Sequence, residues 1–187
     1  MDTELHRRGL LAWLGSTVLV ASAGARAEEA DPPLLQQAAP ETPLGQTLDG
    51  KTVRLSDFAG KPVIVFFWAS WCPYCRNELP VLENLQTKTG ERLPIIAVNV
   101  EERDVFRKLQ RALAGKTKLT HTYDPGDASA QAFQKPSSLP YTVVLRADGS
   151  VAARQRGWGE DSVQVLVKHV NAVLADAART AASAPAG

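Results

Sequence analysis

The sequence has few of the residues that build metal sites and disulfide scaffolds. Its 187 residues include only two cysteines, and the single methionine is Met1. One cysteine pair cannot form a set of disulfide staples or a four-cysteine zinc site. Without an internal methionine, a methionine-based copper site is excluded. We therefore expect neither a bound metal nor another bound cofactor.

The chain also lacks an excess of either charge. It carries 21 basic and 20 acidic residues, and the export signal predicted below contains three of the basic and two of the acidic ones, which leaves 18 of each. A chain with a net charge near zero does not attract polyanions, so nucleic acid is not an expected partner. The sequence has no internal repeat.

Residues 1–27 have the composition of an export signal. A basic start, His6–Arg8, precedes a mostly apolar stretch over residues 9–21, and Ala25-Arg26-Ala27 offers small residues for cleavage. The apolar stretch is shorter than the ~20 residues that span a bilayer. Arg7-Arg8 also fits a twin-arginine signal, so the general secretory and twin-arginine routes both stay open. We expect a periplasmic protein that is soluble after cleavage; an uncleaved membrane anchor is the alternative.

The remainder divides into a leader, one domain and a tail. Residues 28–40 are polar and proline-marked, which predicts a flexible leader. Residues 41–176 are enough for one domain with one core. Residues 177–187 are rich in alanine, serine, proline and glycine, and we expect this tail to be disordered.

Strand and helix patterns alternate within the domain and predict an α/β fold with a mixed central sheet flanked by helices and an N-terminal β-hairpin. Asp49-Gly50 predicts the turn of the hairpin. The predicted strands are residues 63–68, 94–100, 141–145 and 151–154. One predicted helix runs from Cys72 to Gly90, a second covers residues 102–113, and a third begins after Asp161.

The two cysteines are separated by two residues, as Cys72-Pro73-Tyr74-Cys75, and follow the apolar strand Val63–Trp68 after only three residues. This order places Cys72 at the start of a helix, where free N–H groups and the helix dipole favour a thiolate. A thiolate attacks disulfides, and a second nearby cysteine resolves the mixed disulfide that results. The pattern therefore predicts a thiol–disulfide oxidoreductase in which Cys72 attacks and Cys75 resolves.

Three other interpretations of the pair are weaker. A structural disulfide between these positions closes too short a loop to restrict the unfolded chain much. A zinc site lacks a second cysteine pair, and His121 and His169 do not have the close spacing such sites use. Two inert core thiols do not explain the order of strand, cysteine pair and helix.

Other residues near the pair are candidates for catalysis and binding. Glu78 follows Cys75 by three residues, on the same helix face, and could accept the proton of the resolving thiol; a solvated surface charge is the alternative. Pro73 suits the first helical turn. Tyr74 is expected to be exposed beside the sulfurs, either as a contact for substrates or as an ordinary surface residue. Trp68 and Trp71 are expected to pack around the motif as a hydrophobic collar.

These motifs resemble the thioredoxin-fold proteins, and most closely the exported TlpA/ResA group of thiol–disulfide reductases. The resemblance covers residues 41–176. It depends on the segment Phe66–Cys75, on Glu78-Leu79-Pro80, on Leu139-Pro140 and on the hairpin before the first core strand.

The resemblance implies further site residues and partners. In this group Pro140 is cis and faces the disulfide, so that the backbone next to it, at Leu139, pairs with a substrate strand; a trans proline that begins a strand is the alternative. The resemblance also implies client proteins with cysteine pairs and a membrane thiol transporter as electron donor, in cytochrome c maturation or metal-site assembly. We expect a monomer that acts as a reductant.

Other functions within related folds remain to be weighed. A disulfide oxidant or isomerase of the DsbA type has a helical domain inserted before the cis-proline, and the 64 positions from Cys75 to Leu139 leave no room for it. A peroxidase of the peroxiredoxin type needs threonine or serine where this chain has Ala69. A copper chaperone of the Sco type uses a cysteine pair that is one residue wider. Oxidant and metallochaperone stay as alternatives.

Overall fold

The computed structural model describes residues 36–183, so the predicted signal over residues 1–27 lies outside the described residues. Seven strands and four α-helices occupy this part of the chain. They are β1 (Pro43–Gln46), β2 (Thr52–Arg54), β3 (Val63–Trp68), α1 (Pro73–Thr89), β4 (Ile95–Asn99), α2 (Arg103–Leu113), β5 (Thr120–Tyr123), α3 (Ala128–Ala132), β6 (Tyr141–Leu145), β7 (Val151–Arg156) and α4 (Ser162–Ser183).

The strands form one mixed sheet in the order β2-β1-β5-β4-β3-β6-β7. β3 runs parallel to β4 and antiparallel to β6, and β4 runs parallel to β5. All six residues of β3 are buried, which explains their continuous apolar character, because this strand is covered on both faces of the sheet. The predicted α/β class, mixed sheet and N-terminal hairpin are confirmed.

Each face of the sheet has its own core. On the first face, Phe66 and Trp68 of β3 pack with Leu82 of α1 and with Leu166 and Val170 of α4. On the second face, the alternate side chains of β3 pack with Phe133, Tyr141 and other buried residues. Both cysteines belong to the first core, so the active-site candidates at the start of α1 lie on the face of the sheet that α4 also covers.

The structure corrects the predicted boundaries of the domain. The predicted leader over residues 28–40 is not flexible at its end, because Gln37 pairs with Ser150 and Ala38 is buried. The predicted disordered tail over residues 177–187 is wrong for residues 177–183, which continue α4 to Ser183. Alanine is the strongest helix former, and it sustains the helix without burial. Residues 184–187 lie outside the described residues.

Two short elements were not identified from the sequence, although the spacing left room for them. These are β5 and α3, at four and five residues.

Within residues 36–183, no helix combines the length and the apolar character that a membrane crossing requires.

Candidate active site

The two cysteines lie where β3 ends and α1 begins, as the sequence predicts. Cys72 is the N-cap residue, with the extended backbone angles φ −82° and ψ 112°, and Pro73 follows at the first helical turn. The Cys72 Sγ accepts a hydrogen bond of 3.2 Å from the backbone N–H of Cys75. The two residues form a disulfide with their Cα atoms 5.3 Å apart. One free N–H group of the first turn, that of Cys75, therefore points at the sulfur that would become the thiolate.

Neither half of the disulfide is open to solvent in this oxidised form. Cys72 is 2% exposed and Cys75 is fully buried, whereas Trp71 and Tyr74 are 65% and 57% exposed. The exposure of Tyr74 agrees with the sequence prediction. The predicted collar of Trp68 and Trp71 is wrong: Trp68, as the last residue of β3, points into the first core, while Trp71 lies in the loop before the helix and projects into solvent.

Glu78 is the buried carboxyl group of the site. It lies on α1 one turn after Cys75 and is fully buried, which rules out a solvated surface charge. Its Oε1 accepts a hydrogen bond of 2.6 Å from the Thr142 hydroxyl of β6, while Oε2 has no partner among the described residues. Burial raises the Glu78 pKa from 4.5 to about 7, and the bond from Thr142 opposes part of that rise. A carboxyl with this pKa can take and release a proton near neutral pH.

The peptide bond between Leu139 and Pro140 is cis, as the family resemblance implied. Pro140 is buried and its carbonyl accepts a hydrogen bond from the N–H of Gly157 at 2.9 Å. Because Phe67 pairs with Tyr141, Pro140 lies at the end of β6 next to the end of β3 that leads to the disulfide. The topology thus brings the proline and the cysteines to the same edge of the sheet.

A polar network holds the loop in front of Cys72, and the sequence did not reveal it. Glu101, just after β4, accepts hydrogen bonds from the Ser70 hydroxyl at 2.9 Å and from the Ser70 N–H at 2.5 Å. Asn99 donates to the same carboxylate at 3.0 Å, and Arg76 donates to the Ser70 carbonyl at 3.1 Å. Glu101 lies 31 residues from Ser70, so only the parallel pairing of β3 and β4 shows that they meet.

His121 is a buried side chain beside the site. It is 8% exposed on β5, and its ring lies edge-on to Trp68 with centroids 5.8 Å apart. Its Nε2 is 3.0 Å from the Thr117 hydroxyl. Burial lowers the His121 pKa, and the charge of Glu83 opposes this in part. The neutral imidazole therefore packs against the first core, beside the site.

Comparison with known proteins identifies the family. The Redoxin family matches residues 35–174, so the chain belongs to the Redoxin family. It is 35% identical to the thioredoxin-like protein YneN of Bacillus subtilis over 115 residues, which cover 62% of this chain and 67% of YneN. It is 41% identical to the thiol-disulfide oxidoreductase ResA of Bacillus cereus over 62 residues, or 33% of this chain and 36% of ResA.

Solved structures agree with this assignment. The fold is similar to that of the thiol:disulfide interchange protein DsbE from Chlorobium tepidum, with a TM-score of 0.64, 26% identity, and coverage of 75% of this chain and 99% of the other. It is also similar to the exposed lipoprotein thioredoxin Etrx1 of Streptococcus pneumoniae, with a TM-score of 0.55, 28% identity, and coverage of 66% and 95%. The thioredoxin fold, the likeness to the TlpA/ResA group and the assignment to thiol–disulfide oxidoreductases are confirmed.

Proposed function

We propose that this Redoxin-family protein is an exported reductant of disulfides in client proteins and that Cys72 and Cys75 supply the electrons. The observation that carries the proposal is the pairing of a helix-capping Cys72 with a buried carboxyl, Glu78, one turn beyond Cys75. The first feature favours a nucleophilic thiolate, and the second supplies a proton acceptor at neutral pH.

The reaction follows from this arrangement in two exchange steps. The Cys72 thiolate attacks one sulfur of a client disulfide, which forms a mixed disulfide and releases the other client sulfur as a thiolate. Cys75 then gives its proton to Glu78 and attacks the Cys72 sulfur. The bond between Cys72 and the client breaks, the second client sulfur leaves and takes up a proton, and the protein is left with the disulfide seen here. The client gains two electrons and the protein loses two.

The surface around the disulfide supports a binding role for its neighbours. Trp71, Pro73 and Tyr74 are exposed on the loop and the first helical turn, and aromatic residues are enriched where proteins meet. Leu139, half-buried before Pro140, lies at the same edge of the sheet. A client strand that lies along this edge could pair with the backbone at Leu139 and present its disulfide to Cys72.

The proposed direction of electron flow implies a compartment, an electron donor and a class of clients. We propose that the protein acts as a monomer in the periplasm, draws electrons from a membrane thiol transporter and serves clients in cytochrome c maturation or metal-site assembly. The relatives named ResA and DsbE are described as a thiol–disulfide oxidoreductase and an interchange protein, which supports exchange chemistry in either direction. The reduction potential of the Cys72–Cys75 couple tests the direction: a value near that of thioredoxin supports the reductant, and one near that of DsbA supports an oxidant.

Trapping of mixed disulfides tests the roles and finds the clients. The Cys75→Ala variant lacks the resolving thiol, so its Cys72 should remain linked to clients. The Cys72→Ala variant should trap little, because Cys75 is fully buried and lies inside the helix. Non-reducing separation of exported extracts, followed by identification of the linked proteins, compares the two. If both variants trap equally, the assigned roles are wrong.

A further inference from the structure

Four buried polar atoms on the first face of the sheet lack a hydrogen-bond partner within residues 36–183: Trp68 Nε1, His121 Nδ1, Glu78 Oε2 and Gln155 Nε2. The last two are of opposite character. Glu78 Oε2 can only accept a hydrogen bond when it is ionised, and Gln155 Nε2 can only donate. Within residues 36–183, neither atom has a hydrogen-bond partner. Buried polar groups in folded proteins are almost always paired, so each of these two atoms calls for a physical explanation.

Strand pairing places Gln155 next to the group that already contacts Glu78. Gln155 of β7 is the direct partner of Thr142 of β6. Side chains of directly paired residues lie on the same face of a sheet, with Cβ atoms ~5 Å apart. Since the Thr142 hydroxyl lies 2.6 Å from Glu78 Oε1, Gln155 is the next side chain in the same row, on the side away from β3.

Gln155 also lies between Glu78 and solvent. β7 is an edge strand of the sheet, and Gln155 is half-buried, whereas Thr142 is 1% exposed and Glu78 is fully buried. The amide therefore lies in the same row as the buried pair of Thr142 and Glu78, on the strand at the edge of the sheet.

Few other ionisable groups face Glu78. α4 packs Leu166, Val170 and Val173 against this face, and all three are apolar. His121 is on the same face but on β5, three strands from β6. Arg154 pairs with Val143 and lies on the opposite face, and the two cysteines carry no proton in the disulfide.

We propose that Gln155 is a positioning residue for Glu78: its Nε2 donates to Oε2, directly or through one water, and steadies the carboxylate during disulfide exchange. This inference rests on the proposed function. The amide stabilises the ionised form that accepts the proton from Cys75. Gln155 itself neither gains nor loses a proton.

The test measures how fast Cys75 resolves a mixed disulfide as pH changes. The reduced full-length protein is mixed with an aromatic disulfide reagent; Cys72 releases one coloured thiol, and the attack of Cys75 releases the second. Gln155→Leu removes the donor, so the pH midpoint of the second release should rise by about one unit and the rate at neutral pH should fall about fivefold. Gln155→Lys keeps a donor and adds positive charge, so its midpoint should lie at or below that of the native protein.

Two controls separate this effect from a change in packing. Gln164→Leu makes the same substitution at an exposed position of α4 and should leave the midpoint unchanged. In a Glu78→Gln background, Gln155→Leu should have no further effect on the pH profile, because the group that it acts on is gone.

The possible results are distinct. An unchanged midpoint in Gln155→Leu, or a midpoint that rises equally in the Leu and Lys variants, overturns the role of Gln155. If the native protein releases no second thiol at any pH, the proposed function fails instead.

Discussion

Replacement of Glu78 by glutamine should make the oxidised protein more stable at neutral pH while it slows disulfide exchange. The carboxyl is fully buried and receives a single hydrogen bond, from Thr142. Its ionised form is therefore poorly solvated in the folded state, which is why its pKa rises. Glutamine has nearly the same shape and never carries that charge.

The rise of the Glu78 pKa from 4.5 to about 7 sets the size of the effect. It corresponds to roughly 3 kcal/mol between the folded and unfolded states. Well below pH 4.5 the carboxyl is protonated in both states, and no stability is lost. As pH rises toward 7, the unfolded chain gives up the proton while the folded chain keeps it, so the free energy of unfolding falls, and the loss is complete above pH 7. The native protein should therefore lose roughly 3 kcal/mol on this account between pH 4 and pH 8.

Denaturant unfolding of the oxidised protein across this pH range measures the difference. Glu78→Gln should match the native protein near pH 4 and exceed it by roughly 3 kcal/mol at pH 8, or by roughly 6 to 12 °C in Tm. Glu160→Gln, at an exposed position, is the matched control and should follow the native curve. In the same variant, resolution of mixed disulfides should be roughly a hundredfold slower, since the proton acceptor is missing. Parallel stability curves for the native and Glu78→Gln proteins would refute the reasoning about burial.

Three further experiments test the reactivity of Cys72, the contacts of Glu101 and the packing around Gly45. On brief alkylation of the reduced protein at neutral pH, Cys72 at the helix end should be modified well before Cys75 inside the helix, and mass mapping that finds equal labelling would contradict the helix-end argument. Glu101→Ala should cost roughly 2 kcal/mol and slow the first exchange step, because the loop before Cys72 loses its bonds to the carboxylate; denaturant unfolding and exchange kinetics measure this, with the exposed Glu102→Ala as a control that should change neither. Gly45→Ala should lower Tm sharply, since Gly45 has φ +88° and an added Cβ would collide with the Thr122 side chain; a Tm within a few degrees of the native value would show that β1 shifts to make room.

The elements that could be predicted are those whose evidence is local in the sequence. The ends of β3 could be predicted because six consecutive apolar residues stand shortly before a cysteine pair. The start of α1 follows from Pro73, which suits a first helical turn. Glu78 was found for the same reason, since a spacing of three on a helix fixes the shared face with Cys75.

The features that were missed depend on contacts between distant segments. Glu101 is an ordinary glutamate in a charged stretch until the pairing of β3 and β4 brings it to Ser70. His121 stands between two threonines in sequence, and its ring contact with Trp68 on another strand cannot be seen there. The tail was mispredicted for another reason: its composition suited a flexible segment, but its alanines also extend a helix that α4 had already begun.

The residues proposed to contact clients and the residues proposed to react lie at different depths in this site. Trp71 and Tyr74 are its exposed large side chains, whereas the disulfide and Glu78 lie beneath them, almost closed to solvent. If the protein exchanges disulfides with clients as proposed, a client would contact the exposed aromatic residues before its sulfur reaches Cys72, and covering apolar surface would favour that contact. The proposed proton transfer would then depend on buried groups, Glu78 on α1 and Thr142 on β6. Because Trp71 lies in the loop before α1 and is 65% exposed, its substitution should change which clients react without changing how Glu78 titrates.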